Sequence, residues 1–313
     1  MHLAEILERH AQQPAQSVPD WMLGYFKRRV ISFANGLTDT DTHVCWLQSR
    51  NFTIDLRLPL ERDQIVAKAL AEYSAAELQV LANYEGWAAP CQWQGDTLSW
   101  HGGTSLQLNN RWPEPAQLQR IGDCMIEFAP SGAYVEDWRL QGSRPGPLIG
   151  LHVLEERTVE GGALRHRGGG LIVCGEHAAM VLGRASDFDG QGLALRDFVA
   201  RHRDEPQVLA TLFNFETSVA TGSLGAGFNI TLSTRAERVH QPLLPLDGFQ
   251  WLGDGRRLLQ TLRVDGVLCQ RTYAIDTLER ELGFAQATGF TPQAAGWFAR
   301  ESPSLGRYTK KLE

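Results

Sequence analysis

In YVEDWRL, Tyr134, Glu136 and Trp138 occupy every second position, and Asp55 and Arg57 do the same in FTIDLRLP. In an extended chain such residues share one face. A phenol, a carboxylate and a guanidinium set on strand faces are groups that anchor a small molecule or move a proton. Arg57 suits an anionic or carbonyl group, and Glu136 suits a hydrogen-bond acceptor or a general base. The plainer alternative is that Arg57 pairs with a carboxylate on a neighbouring strand and only orders the sheet, as structural ion pairs often do. Trp46 and Gln48 alternate on the preceding strand THVCWLQ. The candidate ligand-binding set is therefore Trp46, Gln48, Arg57, Tyr134, Glu136 and Trp138. For an enzyme, the first catalytic candidates are Glu136, Tyr134, His152 and Arg57. His152 lies between Leu151 and Val153, with Glu155 three residues on, and an imidazole titrates near neutrality. A hydrogen-bonded core or rim histidine fits that position equally.

Other chemistry finds less support. The five cysteines (Cys45, Cys91, Cys124, Cys174, Cys269) are widely spaced with no CxxC pair, which predicts reduced thiols in a cytoplasmic protein. No pair of Cys or His residues has zinc-ligand spacing, so no metal site is expected. Gly222 to Gly227 contains a G-x-x-G-x-G run, but it lies between strands rather than before a helix, so it reads as a turn and not a phosphate cradle. There is no G-x-S-x-G elbow, and no motif requires a cofactor. Trp87, Trp93 and Trp100, with Trp112 after them, either build an aromatic wall or simply pack barrel ends. Packing is the preferred reading.

Those residues must be positioned by strands. In residues 42–59, two strand-like runs meet at Ser49-Arg50-Asn51. Phe52, Ile54, Leu56 and Leu58 fall opposite Thr53, Asp55 and Arg57, the period of a half-buried strand. Further short runs follow every 8–12 residues or so, joined by turn compositions. Arg120–Ala129 and Ala133–Leu140 form a hairpin over Pro130-Ser131-Gly132, and Asp265-Gly266 marks another. Helices are expected at the amphipathic N-terminus, across Leu60–Asn83 with a capping box at Ser74, at Leu193–Arg203 and at Gln293–Arg300. Val208–Asn214 reads as a strand. The fold class predicted is all-β, mainly antiparallel, closed into a barrel that leaves no sheet edge. Residues 1–20 form a helix and linker, 21–280 the barrel region with a possible sub-boundary near 185–206, and 281–313 a helix and tail.

Several phrases resemble a known family: YFKRRVISFANG, THVCWLQ, FTIDLRLP, CMIEF followed by AYVEDW, and GLIVCGEHAAMVLGR. Together they resemble the calycin superfamily, specifically the lipocalin-like proteins related to fungal HRI1 and their bacterial cousins, over Tyr25 to Ser233. The resemblance implies an antiparallel barrel enclosing a cavity, with a second barrel-like half possible. It carries over no catalytic residues. The N-terminal G-x-W signature of lipocalins proper is not present.

A chain of 313 residues buries a substantial core. Its formal charge of −6, with dispersed basic residues, argues against a nucleic-acid partner. No apolar run approaches the roughly 18–20 residues of a membrane span, so no membrane insertion is expected. The expected function is binding of a small, largely apolar molecule inside the barrel. The alternatives are a metal-free, cofactor-independent enzyme using the same cavity for proton transfer, dehydration or cyclisation, and an interaction scaffold without a ligand. Alternation alone leaves open which strand faces point inward.

Overall fold

In the computed structural model, which describes residues 1–188, 190, 192–253, 255–284, 296, 299, 300 and 303, the alternating runs form antiparallel strands. The first series is β1 (Gly24–Phe33), β2 (Thr38–Asp39), β3 (Thr42–Gln48), β4 (Phe52–Pro59), β5 (Glu85–Gln94), β6 (Thr97–Trp100), β7 (Thr104–Ser105), β8 (Ala116–Ile121), β9 (Cys124–Phe128) and β10 (Tyr134–Leu140). The second is β11 (Gly146–Thr158), β12 (Leu164–Arg167), β13 (Gly169–Cys174), β14 (His177–Leu182), β15 (Glu216–Ser223), β16 (Gly227–Ser233), β17 (Phe249–Trp251), β18 (Arg257–Val264) and β19 (Val267–Leu282). Helices α1 (Leu3–Arg9), α2 (Ala75–Leu81), α3 (Leu195–Arg201) and α4 (Pro206–Leu212) sit around them.

The first series closes on itself. Its pairing order is β10-β9-β8-β6-β5-β4-β3-β1, and β1 pairs back onto β10, with β2 and β7 as short additions. The result is an eight-stranded antiparallel barrel in which every main strand has two neighbours. Closure carries one irregularity, a register shift between Arg28 and Val30 on β1. The bulge lets Arg28 and Ile31, three residues apart, both face inward.

The second series runs β16-β15-β14-β13-β11-β19-β18-β17, with β12 on β11, and its end strands do not pair. Chain 240–243 instead runs along β16 through bonds such as Leu243 N–H to the Phe228 carbonyl, then leads towards β17. Helix α1 fills this half, with Leu3, Ile6 and Leu7 buried in its core beside Phe249 and Leu278. The N-terminal helix is thus part of the second unit. The change of sheet falls at 141–145, just before Gly146-Pro147, and not near 185–206. That later segment, with α3, is an excursion between β14 and β15, which pair directly with each other.

Strands β13, β14 and β15 pack across β3, β4 and β5. Phe52, Ile54, Leu56 and Leu58 share a core with Ile172, Ala179, Val181 and Val219. The strand expected to be half-buried is therefore buried on both faces, with Asp55 1% and Arg57 8% exposed. The approach is close: a Cβ on Gly170 would lie 2.7 Å from the Phe52 ring, and one on Gly86 2.4 Å from the Thr217 hydroxyl.

Three further expectations change. The region Leu60–Asn83 holds two short 3-10 turns before α2; Ile65, Leu70 and Tyr73 pack on the core while Val66 is 75% exposed, so no continuous helical face is buried. The Ser74 capping box does form, with the Glu77 carboxylate accepting from Ser74 N–H at 2.8 Å. Val208–Leu212 is helical, opened by Pro206 in its first turn and burying Leu209 and Leu212. Arg120–Ala129 is two strands, broken at Gly122, whose φ of 61° reverses the chain. The terminal helix at 293–300 and the tail lie almost wholly outside the described residues. Among the described residues, no helix is long and apolar enough to cross a membrane.

Candidate functional site

Barrel closure decides the parity that alternation leaves open. The apolar face of β4 meets the second sheet, so Thr53, Asp55 and Arg57 turn into the lumen. One end of the lumen is filled, with Phe26, Leu98, Leu118 and Met125 buried there. Arg120 lies in the same part, over the Phe26 ring, and donates to the Trp21 and Gly122 carbonyls. The other end holds a cavity of about 360 Å³. Trp46, Trp87, Trp100 and Trp138 form its walls, with Asp55, Arg57, Glu127 and Tyr134 among them. The tryptophans touch edge to face in series, with centroids 5.7 Å apart for Trp87–Trp100, 5.6 Å for Trp46–Trp100 and 5.1 Å for Trp46–Trp138. Trp93 packs on Trp21 instead and does not line the cavity. Trp87, Trp100 and Trp112 are thus an aromatic wall, where packing at barrel ends was the preferred expectation.

Charges are laid into this apolar frame in pairs. Arg57 donates to Asp55 through Nε at 3.0 Å and Nη2 at 3.4 Å. Its plane lies 4.3 Å from the Trp112 ring centroid, and its Nη1 is 4.0 Å from Glu136 Oε1. That Nη1 is buried and donates no hydrogen bond. Burial disfavours the Arg57 charge, but Asp55 and Glu136 more than offset it, so the guanidinium titrates above its ordinary value. Burial pushes Asp55 up to about 6 against the pull of Arg57.

Glu136 and Glu127 are directly opposed across β10 and β9. Glu136 accepts from Arg28 Nη1 at 2.9 Å, and Arg28 also holds Asp39 at 2.5 Å. Glu127 accepts from the Trp138 indole N–H at 2.9 Å and from the Tyr134 hydroxyl at 3.4 Å. Burial first, then the Glu136 charge, holds the Glu127 carboxyl well above the usual carboxylate range. Burial and the adjoining Glu127 also raise the Tyr134 phenol. The Glu127 carboxyl lies on the cavity lining, and Glu136 is held by Arg28. At the mouth, Glu85 accepts from Trp112 Nε1 at 3.0 Å and Arg111 Nη1 at 2.9 Å, which straps chain 111–112 over the opening.

Of the residues expected to bind a ligand, Trp46, Arg57, Tyr134 and Trp138 line the cavity. Glu136 and Gln48 do not. Glu136 lies behind the wall on Arg28. Gln48 spends its amide on the Ser49 and Phe52 carbonyls and accepts from Trp46 Nε1 at 2.9 Å and the Thr53 hydroxyl at 2.7 Å. It fixes the Trp46 ring. Among the catalytic candidates His152 is misplaced: it sits on β11 in the second sheet, its ring 4.2 Å from that of Phe52, on the far side of β4 from the lumen. Burial there lowers its pKa. Glu127 was overlooked, although the hairpin over Pro130-Ser131-Gly132 sets it opposite Glu136. Among the described residues, no three His, Cys, Asp or Glu side chains come together to hold a metal ion.

No family model matches the chain, and no curated protein matches it. It is similar to the crystal structure of an uncharacterized protein, YLR301w, from Saccharomyces cerevisiae. The two share 14% identity over 81% of this chain and 98% of that one, with a TM-score of 0.43. A likeness of that degree leaves function open.

Proposed function

We propose that the protein binds a small, flat, largely apolar molecule in the barrel cavity, seated against the tryptophans and anchored through one oxygen. The observation that carries this reading is the cavity of about 360 Å³ walled by four tryptophans, with Arg57 among its lining residues and Arg57 Nη1 making no hydrogen bond. An unmet buried donor costs about 1–3 kcal/mol, which a ligand oxygen recovers on binding. Glu127, whose carboxyl pKa is raised by burial, brings a second polar group to the same space. Asp55 and Glu136 are matched by Arg57 and Arg28, so the site suits an uncharged guest. The resemblance to calycins agrees with a ligand-holding barrel. Five free cysteines, four of them buried, agree with a reducing, cytoplasmic setting.

Quenching of tryptophan fluorescence tests the reading with four probes: 2-tetralone, tetralin, 2-naphthoate and phenyltrimethylammonium. The neutral ketone is expected to bind at least tenfold more tightly than tetralin, which lacks the oxygen. Tightest binding of the ammonium probe would make the site an aromatic cage for cations, and no saturable quenching by any probe would remove the cavity as a binding site. A second reading, cofactor-independent catalysis in the same cavity, is favoured by one observation, the two carboxyl groups of Glu127 and Asp55 on its lining.

A further inference from the structure

Resting on the binding reading above, we propose that the cavity catalyses enolisation of a neutral, planar ketone, with Glu127 as proton donor to the carbonyl oxygen and Asp55 as acceptor of the α-hydrogen. Both carboxyl groups line the same cavity as Arg57. They are kept in opposite states by their partners. Glu127 faces Glu136, which accepts from Arg28 Nη1 at 2.9 Å, and burial with that neighbouring carboxylate outweighs the pull of Arg57 on Glu127. Asp55 is held as a carboxylate by Arg57 at 3.0 Å. A general acid and a general base on separate walls of one apolar chamber are what proton transfer at a carbon next to a carbonyl requires.

The step balances without a co-reactant. The α C–H bond breaks and its proton goes to Asp55, while its electron pair becomes the C=C bond. The carbonyl π pair takes the Glu127 proton, giving the enol. One carboxylate is neutralised as the other is formed, so the number of charges in the cavity is constant and no new ion is buried. Arg57 is bonded to Asp55 through Nε at 3.0 Å before the transfer.

The experiment follows deuterium incorporation at the α-carbons of 2-tetralone in D2O by proton NMR, with the intact protein, E127Q and E127D, and binding read in parallel by fluorescence. The expected result is exchange above the buffer rate, lowered at least tenfold in E127Q and partly restored in E127D, with each variant's rate compared at ketone concentrations that saturate its own binding. Gln matches the size of a protonated Glu, and circular dichroism reports folding. Binding without catalysed exchange overturns the enolisation and leaves the binding reading intact. Exchange that E127Q does not slow overturns the role of Glu127. No binding of 2-tetralone overturns both readings.

Discussion

At the scale of single residues, the lumen is organised around one surplus carboxyl group. Glu127 and Asp55 both titrate above their unfolded values, so the folded state holds protons more tightly than the unfolded chain. Stability linked to these groups is complete below their unfolded values near 4 and is lost as pH rises through the folded ones. For Asp55 that window runs from 3.8 to about 6 and is worth about 3 kcal/mol. Glu127→Gln removes the larger share of the alkaline loss. Urea unfolding is expected to show the variant more stable than the parent at pH 8 and equal to it at pH 4; equal curves at both values would mean that Glu127 is ionised in the fold. Tyr134, Glu136 and Trp138 were legible as a set because they alternate on one short strand. Arg28 was not, because the bulge after it shifts the inward parity, and alternation cannot report an inserted residue. Glu127 was within reach once the hairpin register was counted.

At the scale of elements, strand runs were easier to read than their neighbours. The hairpin turn at Asp265-Gly266 adopts positive φ at both residues, 51° and 80°, as its composition demands. Val208–Leu212 shows the opposite case: a short apolar run fits a strand or a buried helix, and Pro206 with the Leu209 and Leu212 spacing settled it as helix. The packing of β4 against β13 leaves no tolerance in volume. Gly170→Ala is expected to destabilise the protein by about 1–3 kcal/mol through its clash with the Phe52 ring. Adding Phe52→Leu is expected to recover part of that loss in denaturant unfolding. Simple additivity of the two losses would show that the clash is not the cause.

For the whole molecule, the sequence spoke clearly for antiparallel β architecture but hardly at all for how two sheets dock. The continuous burial of β13 and β14 was visible only as apolar runs, GLIVC and HAAMVL, which do not name what covers each side. Polar ties span the join at several points: Asp276 accepts from Ser49 Oγ at 2.6 Å and Asn51 Nδ2 at 3.0 Å, and Arg184 donates to the Ser105 and Leu106 carbonyls. Arg50, in the β3–β4 turn, donates to both Glu279 oxygens at 2.8 Å and also holds Asp20. Arg50→Ala strands the buried Glu279 charge. Calorimetry is expected to show a lowered transition that splits into two, whereas a single unshifted peak would show that the Arg50–Glu279 pair does not hold the docking. Because β4 serves as wall to the cavity and as floor to the docked sheet, it has no idle side. A saturation-substitution library over its eight positions should return almost no tolerated replacements at either parity. The same library over β8 should accept them at Gln117, Gln119 and Ile121, every second place along the strand.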